Sequence, residues 1–502
     1  MILISRYVRE QNPYSRKDLV NLFNLDDESF SSFIKKLNYH RVLKVYDKST
    51  VQDTFMDLNE SDEIYGEDFS NDEYVYVFTY VGVLTIDNIV IKCFPKYISK
   101  KEEPYEEMKE ILNVINKYNN TKENIINLYS GYDEEKEFNL LSICLYLLNN
   151  YYENGIYSNQ QDIVETNGEG EILWDNTINE TFALIIDDIP YYTELQTQNI
   201  VNNESDYITR LHKFVITECC KKLKEADLLE LFDMDDINLS DEEIEFFGDY
   251  DNILYRIQRE LSVQFITWKQ ILLKTLAVYF SNRKSFNEGL GLAMYGTSSF
   301  HTIWEEACAK VFDNKLKTPL EELNLPLDLH EDYISRRTSR LIDIIEYPIW
   351  LSFDDGINEH KAQRTLIPDL VSIYEAEEGA CFGIFDAKYY NIVLEKDNLK
   401  NYPQLKDVTK QYLYQLAFND FIDKHNFVFI SNAFLMPTED ESSVLIGEAK
   451  MGILEGLSHP NLINISVVKL SARKIYDCYL TGKKLDIGTE FEFLNNIIKE
   501  KI

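Results

Sequence analysis

The chain has 502 residues, 45% of them apolar and 13% aromatic, which predicts about three domains with ample core and excludes a disordered polymer. No apolar run reaches the roughly 18 residues a membrane helix needs and no basic-then-apolar leader opens the chain. The seven cysteines form no CxxC pair, so the expectation is a cytoplasmic protein with reduced core thiols, without a zinc site or disulfide framework. With 86 acidic against 50 basic residues the formal net charge is −36, and the chain as a whole repels a nucleic-acid duplex.

Residues 15–46 predict a helix-turn-helix. Ser15 and Asp18 form a capping pattern ahead of Leu19, Val20, Leu22 and Phe23. Asp26 or Asp27 caps a second helix with Phe30, Phe33, Ile34 and Leu37 at helical spacing. Lys35, Lys36, His40, Arg41 and Lys44 line its end, and Val42 to Tyr46 reads as a strand. An acidic insertion at about 50–73 precedes a strand over 74–86, which Asp87-Asn88 turns into Ile89 to Phe94. Helices followed by a hairpin predict a winged-helix-like domain over residues 1–103, used either for DNA contact or for docking on a protein.

Residues 104–289 predict a mixed, mainly helical middle domain. Ile111, Leu112 and Ile115, then Leu140, Leu141, Cys144, Leu147 and Leu148, carry the helical pattern. Gly168 to Asp175 reads as a turn into a strand, and Phe182 to Pro190 as a single strand. The acidic stretch 233–251 interrupts later helices and is a solvated face. There is no internal repeat and no Gly-rich phosphate loop, so no nucleotide site of the chain's own is expected.

A third domain, 290–502, is expected to be α/β, with a central mixed sheet flanked by helices. Phe300 to Phe312 is amphipathic, with Phe300, Ile303, Trp304, Ala307, Cys308 and Val311 on its apolar face. Arg336, Arg337 and Arg340 form the densest basic cluster, suited to phosphates or to the surplus carboxylates. Two apolar strands, 364–374 and 380–390, flank the acidic turn 375–379. Residues two apart on a strand share a face, so Asp386 and Lys388 project together and Ala387 points away. With Asp369 just after Pro368, two carboxylates and an ammonium sit in an otherwise apolar hairpin. Such groups are costly to bury unless they bind something. The expected guest is a hard divalent cation, Mg²⁺ or Mn²⁺, with Lys388 orienting or deprotonating a water. A strong helix over 407–418, strands over 427–437 and 463–470, and helices over 472–479 and 491–498 complete the domain.

Pro368-Asp369 with Asp386-Ala387-Lys388 resembles the PD-(D/E)xK nuclease signature. More widely, the segments from Phe78 to Ile86, Phe94 to Ile98 and Tyr295 to Glu305 resemble the LlaJI family of restriction endonucleases. So do Ile367-Pro-Asp, Asp386-Ala-Lys-Tyr-Tyr390, Lys410-Gln411 and Asn432 to Pro437. The layout is also similar to McrC-type nucleases, which partner McrB-type AAA+ GTPases. The resemblance implies a Mg²⁺-dependent endonuclease subunit of a two-component antiviral restriction system. It would cut double-stranded DNA while a GTPase motor recognises the DNA and translocates, a division of labour that suits an acidic nuclease. It also implies Asp369 and Asp386 as metal ligands, assisted by the Ala387 carbonyl and by Glu305, which is favoured over Glu306 because it directly follows the aromatic Trp304. Lys410 and Gln411 would hold the scissile strand. Here the chain departs from the Gln-x-x-x-Tyr element of many such nucleases, because Gln415 stands four after Gln411. A stand-alone restriction endonuclease using its own winged helix, and a non-catalytic assembly protein, are the alternatives.

Overall fold

The computed structural model describes residues 4–48, 73–86, 89–119, 140–202, 205–286, 292–353, 358–377, 379–452 and 462–490. The acidic insertion up to residue 72, the Asp87-Asn88 turn and the expected helix over 491–498 lie outside the described residues. The chain divides into two compact units, one of residues 84–87 with 126–295 and the other of the remaining residues.

In the larger unit, the N-terminal helices begin where their caps predict. Ser15 and Asp18 form a reciprocal capping box on Arg16–Phe23, and the Asp26 side chain accepts from the Ser29 N–H at the head of Asp27–Tyr39. Leu19, Phe23, Phe30, Phe33, Ile34 and Leu37 are all buried. Strands Pro13–Ser15, Tyr74–Phe78 and Leu43–Asp47 form a three-stranded sheet in that order, a winged-helix-like arrangement. The strand expected to run unbroken over 74–86 divides at Thr79-Tyr80. The Thr79 N–H donates to the Val42 carbonyl at 2.9 Å and its hydroxyl to the Arg41 carbonyl at 3.0 Å. The wing is therefore 43–47 with 74–78, while Ile89–Phe94 pairs in parallel with Ile4–Arg9. Side-chain periodicity shows a strand's faces; it does not show where the strand changes partners.

The smaller unit holds helices Leu140–Asn154, Tyr207–Glu225, Tyr250–Val263 and Thr267–Phe286 and a sheet of Gln160–Thr166, Gln196–Asn202 and Glu171–Ile172. The single strand expected over 182–190 is a hairpin, Ala183–Ile186 against Ile189–Tyr192. Asp187 and Asp188 turn it with φ of 50° and 63°, the left-handed pair that a tight two-residue hairpin demands.

The site lies on a five-stranded mixed sheet in the larger unit. Its elements are α1 (Phe300–Val311), β1 (Leu370–Ala376), β2 (Gly379–Ala387), α2 (Leu405–Lys424), β3 (Phe429–Thr438), β4 (Val444–Ala449), β5 (Ile465–Ser471) and α3 (Ala472–Thr481). The sheet order is β1-β2-β3-β5-β4. β1/β2 and β5/β4 are antiparallel, whereas β2/β3 and β3/β5 are parallel. β1 starts only at Leu370, since Pro368 has no N–H to give a ladder. α2 is the crossover between parallel β2 and β3, as such a connection requires. Val371, Phe382 and Ile384 pack with Phe418, Phe421 and Ile422 of α2 in one core cluster. Asp386 continues the Phe382–Ile384 row, so strand alternation places it on the face that α2 covers.

Candidate active site

Asp386 occupies the carboxyl-terminal end of β2 and is only 3% exposed. Lys388 lies two residues beyond it; its Nζ is 3.0 Å from Asp386 Oδ1 and 3.5 Å from Asp407 Oδ1, in the first turn of α2. Asp369, immediately before β1, lies near enough to the Asp386 carboxyl to shift it. Its Oδ2 is buried without a hydrogen-bond partner. Burial first, then Asp369, raises the Asp386 carboxyl well above its ordinary value, against the opposing pull of Lys388. Burial works against the Lys388 ammonium, but Asp386, Asp369 and Asp407 together hold its pKa above the usual lysine value. A lysine so surrounded stays charged and donates hydrogen bonds; it does not collect a proton.

Several contacts fix this geometry. The Lys388 N–H donates to the Leu435 carbonyl at 2.9 Å, and the Trp304 indole N–H donates to the same oxygen at 3.1 Å. Leu435 stands opposite Ala387 in the β2/β3 register. One carbonyl thus ties α1 to the strand end that carries the lysine. From the α2 side, the fully buried Gln411 donates its amide to the Ile384 carbonyl at 3.0 Å.

Glu305 follows Trp304 on α1 and is half-buried. Burial and Asp386 raise its carboxyl while Lys388 opposes them, so it feels the cluster electrostatically. Among the described residues, no three His, Cys, Asp or Glu side chains gather closely enough to hold a metal by themselves. Lys410 is half-buried on α2. Gln411, expected to reach the scissile strand, instead spends its amide N–H on the sheet. Arg337 pairs with Glu321 at 3.4 Å and Arg340 with Asp343 at 2.8 Å, while Arg336 is exposed. Asp407 is a residue to which sequence reading gave no such role. The Tyr414 hydroxyl is pushed up to about 12 by burial and then by Asp386 and Asp369. The signal for Asp407 was topological: a crossover helix after β2 returns its start to the carboxyl edge of the parallel strands, where ligand sites gather.

These residues fit a hard divalent cation. The buried, unpartnered Asp369 Oδ2 beside the Asp386 carboxyl is an oxygen pair of the kind such ions take. A raised folded-state pKa favours the protonated protein. Its contribution to stability is complete below the ordinary carboxylate value and is lost as pH rises through the elevated one. A divalent cation held there would take the place of that proton, so Mg²⁺ is expected to raise the melting temperature more at about pH 8 than at about pH 5, and Asp369→Asn is expected to flatten the difference. Thermal melts with and without Mg²⁺ at the two pH values check this.

Comparison with known proteins gives the class. The family model described as LlaJI restriction endonuclease matches residues 80–329 and 331–473, and the chain belongs to that family. A curated relative is a component, YdjA, of the type II restriction enzyme BsuMI from Bacillus subtilis (strain 168). It is 26% identical over 499 residues, covering 95% of this chain and 94% of that protein. Among solved structures, a chain of the Thermococcus gammatolerans assembly of McrB AAA+ hexamers with bound McrC aligns over 98% of this chain and 100% of its own length. Its identity is 14% and its TM-score 0.38. A chain of the Thermococcus gammatolerans McrBC complex aligns over 55% and 79% respectively, with 13% identity and a TM-score of 0.25.

Proposed function

We propose that this chain is the DNA-cutting subunit of a two-component restriction system: a Mg²⁺-dependent endonuclease that hydrolyses duplex DNA when docked on an AAA+ GTPase of the McrB type. The observation that carries the reading is the Asp369–Asp386 pair, with its orphaned buried oxygen, beside a lysine held in its charged form. Asp369 and Asp386 would hold the ion, with the Ala387 carbonyl and Glu305 completing the protein's share. Bound there, Mg²⁺ supplies charge against the scissile phosphate and makes water acidic enough to attack at neutral pH. Lys388 donates to the attacking water or to a phosphate oxygen and orients it, and Lys410 steadies the strand being cut.

Three observations support a partner. The chain is strongly acidic, its relative is named as a component of an enzyme, and its smaller unit carries an apolar surface hairpin. In that hairpin Phe182, Leu184, Ile185, Ile186, Ile189 and Tyr191 are each at least half exposed. Contiguous exposed apolar surface marks interaction sites. Ile185→Asp is therefore expected to weaken binding to the GTPase at least about tenfold, or about 1.4 kcal/mol. The melting temperature is expected to stay unchanged, as titration calorimetry and thermal melts would report.

The deciding experiment is plasmid cleavage in Mg²⁺ with and without the GTPase and GTP, with Asp386→Ala as control. Cleavage in the full mixture alone, lost in the variant, supports the proposal. Cleavage by the chain alone favours a stand-alone endonuclease. Silence throughout favours an assembly protein.

A further inference from the structure

A cleft of about 210 Å³ opens in the larger unit, lined among others by Arg9, Glu10, Asn12, Lys96, Asn391 and Asn401. Its position follows from the chain: Lys388-Tyr389-Tyr390-Asn391 leads from the candidate active site to the cleft wall in three residues. Lys96 Nζ sits 4.6 Å from the Tyr389 ring centroid and 5.7 Å from that of Tyr390, and donates to Gln11 Oε1 at 2.9 Å. The His301 imidazole gives a second link, since it is lowered by burial and then by both Lys96 and Lys388.

The cleft's charge is unusual for this chain. Carboxylates outnumber cations 86 to 50, and Arg337, Arg340 and Lys388 have all found one. Neither Arg9 nor Lys96 makes an ion pair among the described residues; the Arg9 guanidinium donates to the neutral Asn12 amide oxygen at 2.7 Å. The one carboxyl in the wall, Glu10, is buried and occupied. It accepts from the Tyr389 hydroxyl at 2.5 Å and the Lys96 backbone N–H at 3.2 Å, and burial raises its pKa against the pull of the Lys96 charge. The remaining polar wall is neutral amide. Two cations held by neutral amides and aromatic faces, without an ion-paired carboxylate among the described residues, in a concave site beside the candidate nuclease centre, suit a phosphate.

We propose that this cleft binds a backbone phosphate of the DNA strand, close to the one being cut, through Arg9 and Lys96. This rests on the endonuclease reading above and extends it to a substrate contact supplied by the N-terminal segment.

The test is the salt dependence of the full-length chain's affinity for a duplex oligonucleotide, in Ca²⁺ in place of Mg²⁺. Each phosphate contact contributes about 0.9 to the slope of log affinity against log salt. Lys96→Gln is expected to reduce the slope by about that amount and Lys96→Arg to restore it. Asp386→Ala is expected to keep the slope while abolishing cleavage in Mg²⁺. One methylphosphonate, walked along the strand, is expected to reproduce the loss at a single position in the natural protein and to cost Lys96→Gln less there than it costs the natural protein. Should Lys96→Gln not fold, Asn391→Asp, which adds a repelling charge at the wall, is expected to weaken binding instead. An unchanged slope in Lys96→Gln, or no salt-dependent affinity at all, overturns the proposal. Cleavage surviving Asp386→Ala overturns the endonuclease site alone.

Discussion

Asp386→Ala is expected to slow DNA cleavage by about 10³-fold or more while leaving the melting temperature equal or higher. The first part follows from the carboxylate's place. It lies beside Asp369, which raises its pKa, and 3.0 Å from Lys388, so its loss would remove a ligand of the proposed metal and the partner that orients the lysine. Metal-ion catalysis contributes several kcal/mol, and each 1.36 kcal/mol is a factor of ten in rate. The second part follows from the direction of its pKa shift. A carboxyl raised by burial and by a like neighbour is a cost of folding at neutral pH, and alanine removes that cost. Lys388 keeps Asp407 at 3.5 Å, so it is not stranded. Single-turnover cleavage beside a thermal melt separates the effects. A variant cutting at the natural rate would rule out Asp386 as a ligand. One that cuts slowly because it unfolds would make the residue a structural partner of Lys388.

Much of this architecture was legible in the sequence because its signals are local. The Ser15 and Asp26 caps, the apolar stripe of α1 and the hairpin carrying Asp369, Asp386 and Lys388 are set by neighbours within a few residues. What escaped depends on partners far along the chain. Nothing near Thr79 announces that its N–H goes to Val42 and ends a strand. Asp187-Asp188 reads as two more acidic residues until their left-handed φ values make them a turn. Asp407 reads as a helix-start acid, which it is, since its carboxylate accepts from the Gln404 N–H at 3.2 Å. Its second role toward Lys388 exists only once α2 crosses back over the sheet. Gln411 has the same lesson in reverse: a glutamine suited to holding a substrate is fully buried and holds a strand.

Trp304→Ala is expected to cost about 3–5 kcal/mol of stability, the range for emptying a buried large aromatic site. Trp304 is fully buried and packs edge-on against Tyr476 of α3 with ring centroids 5.9 Å apart. Alanine would leave a cavity between helix and sheet beneath the candidate active site. Trp304→Phe isolates a smaller effect. It keeps most of the apolar burial but loses the indole donor to the Leu435 carbonyl, a hydrogen bond of about 1 kcal/mol. That oxygen still accepts from the Lys388 N–H, so the sheet is not left with an orphaned acceptor and the phenylalanine variant is expected to stay folded. It would have lost the tie that fixes α1, and with it Glu305, against the strand end carrying Lys388. Cleavage by Trp304→Phe is therefore expected to fall by more than its urea-unfolding stability accounts for, with the deficit narrowing as Mg²⁺ is raised to saturation. Equal activity at all Mg²⁺ concentrations would mean that Glu305 needs no such anchoring, and that the Asp369–Asp386 pair holds the ion without it.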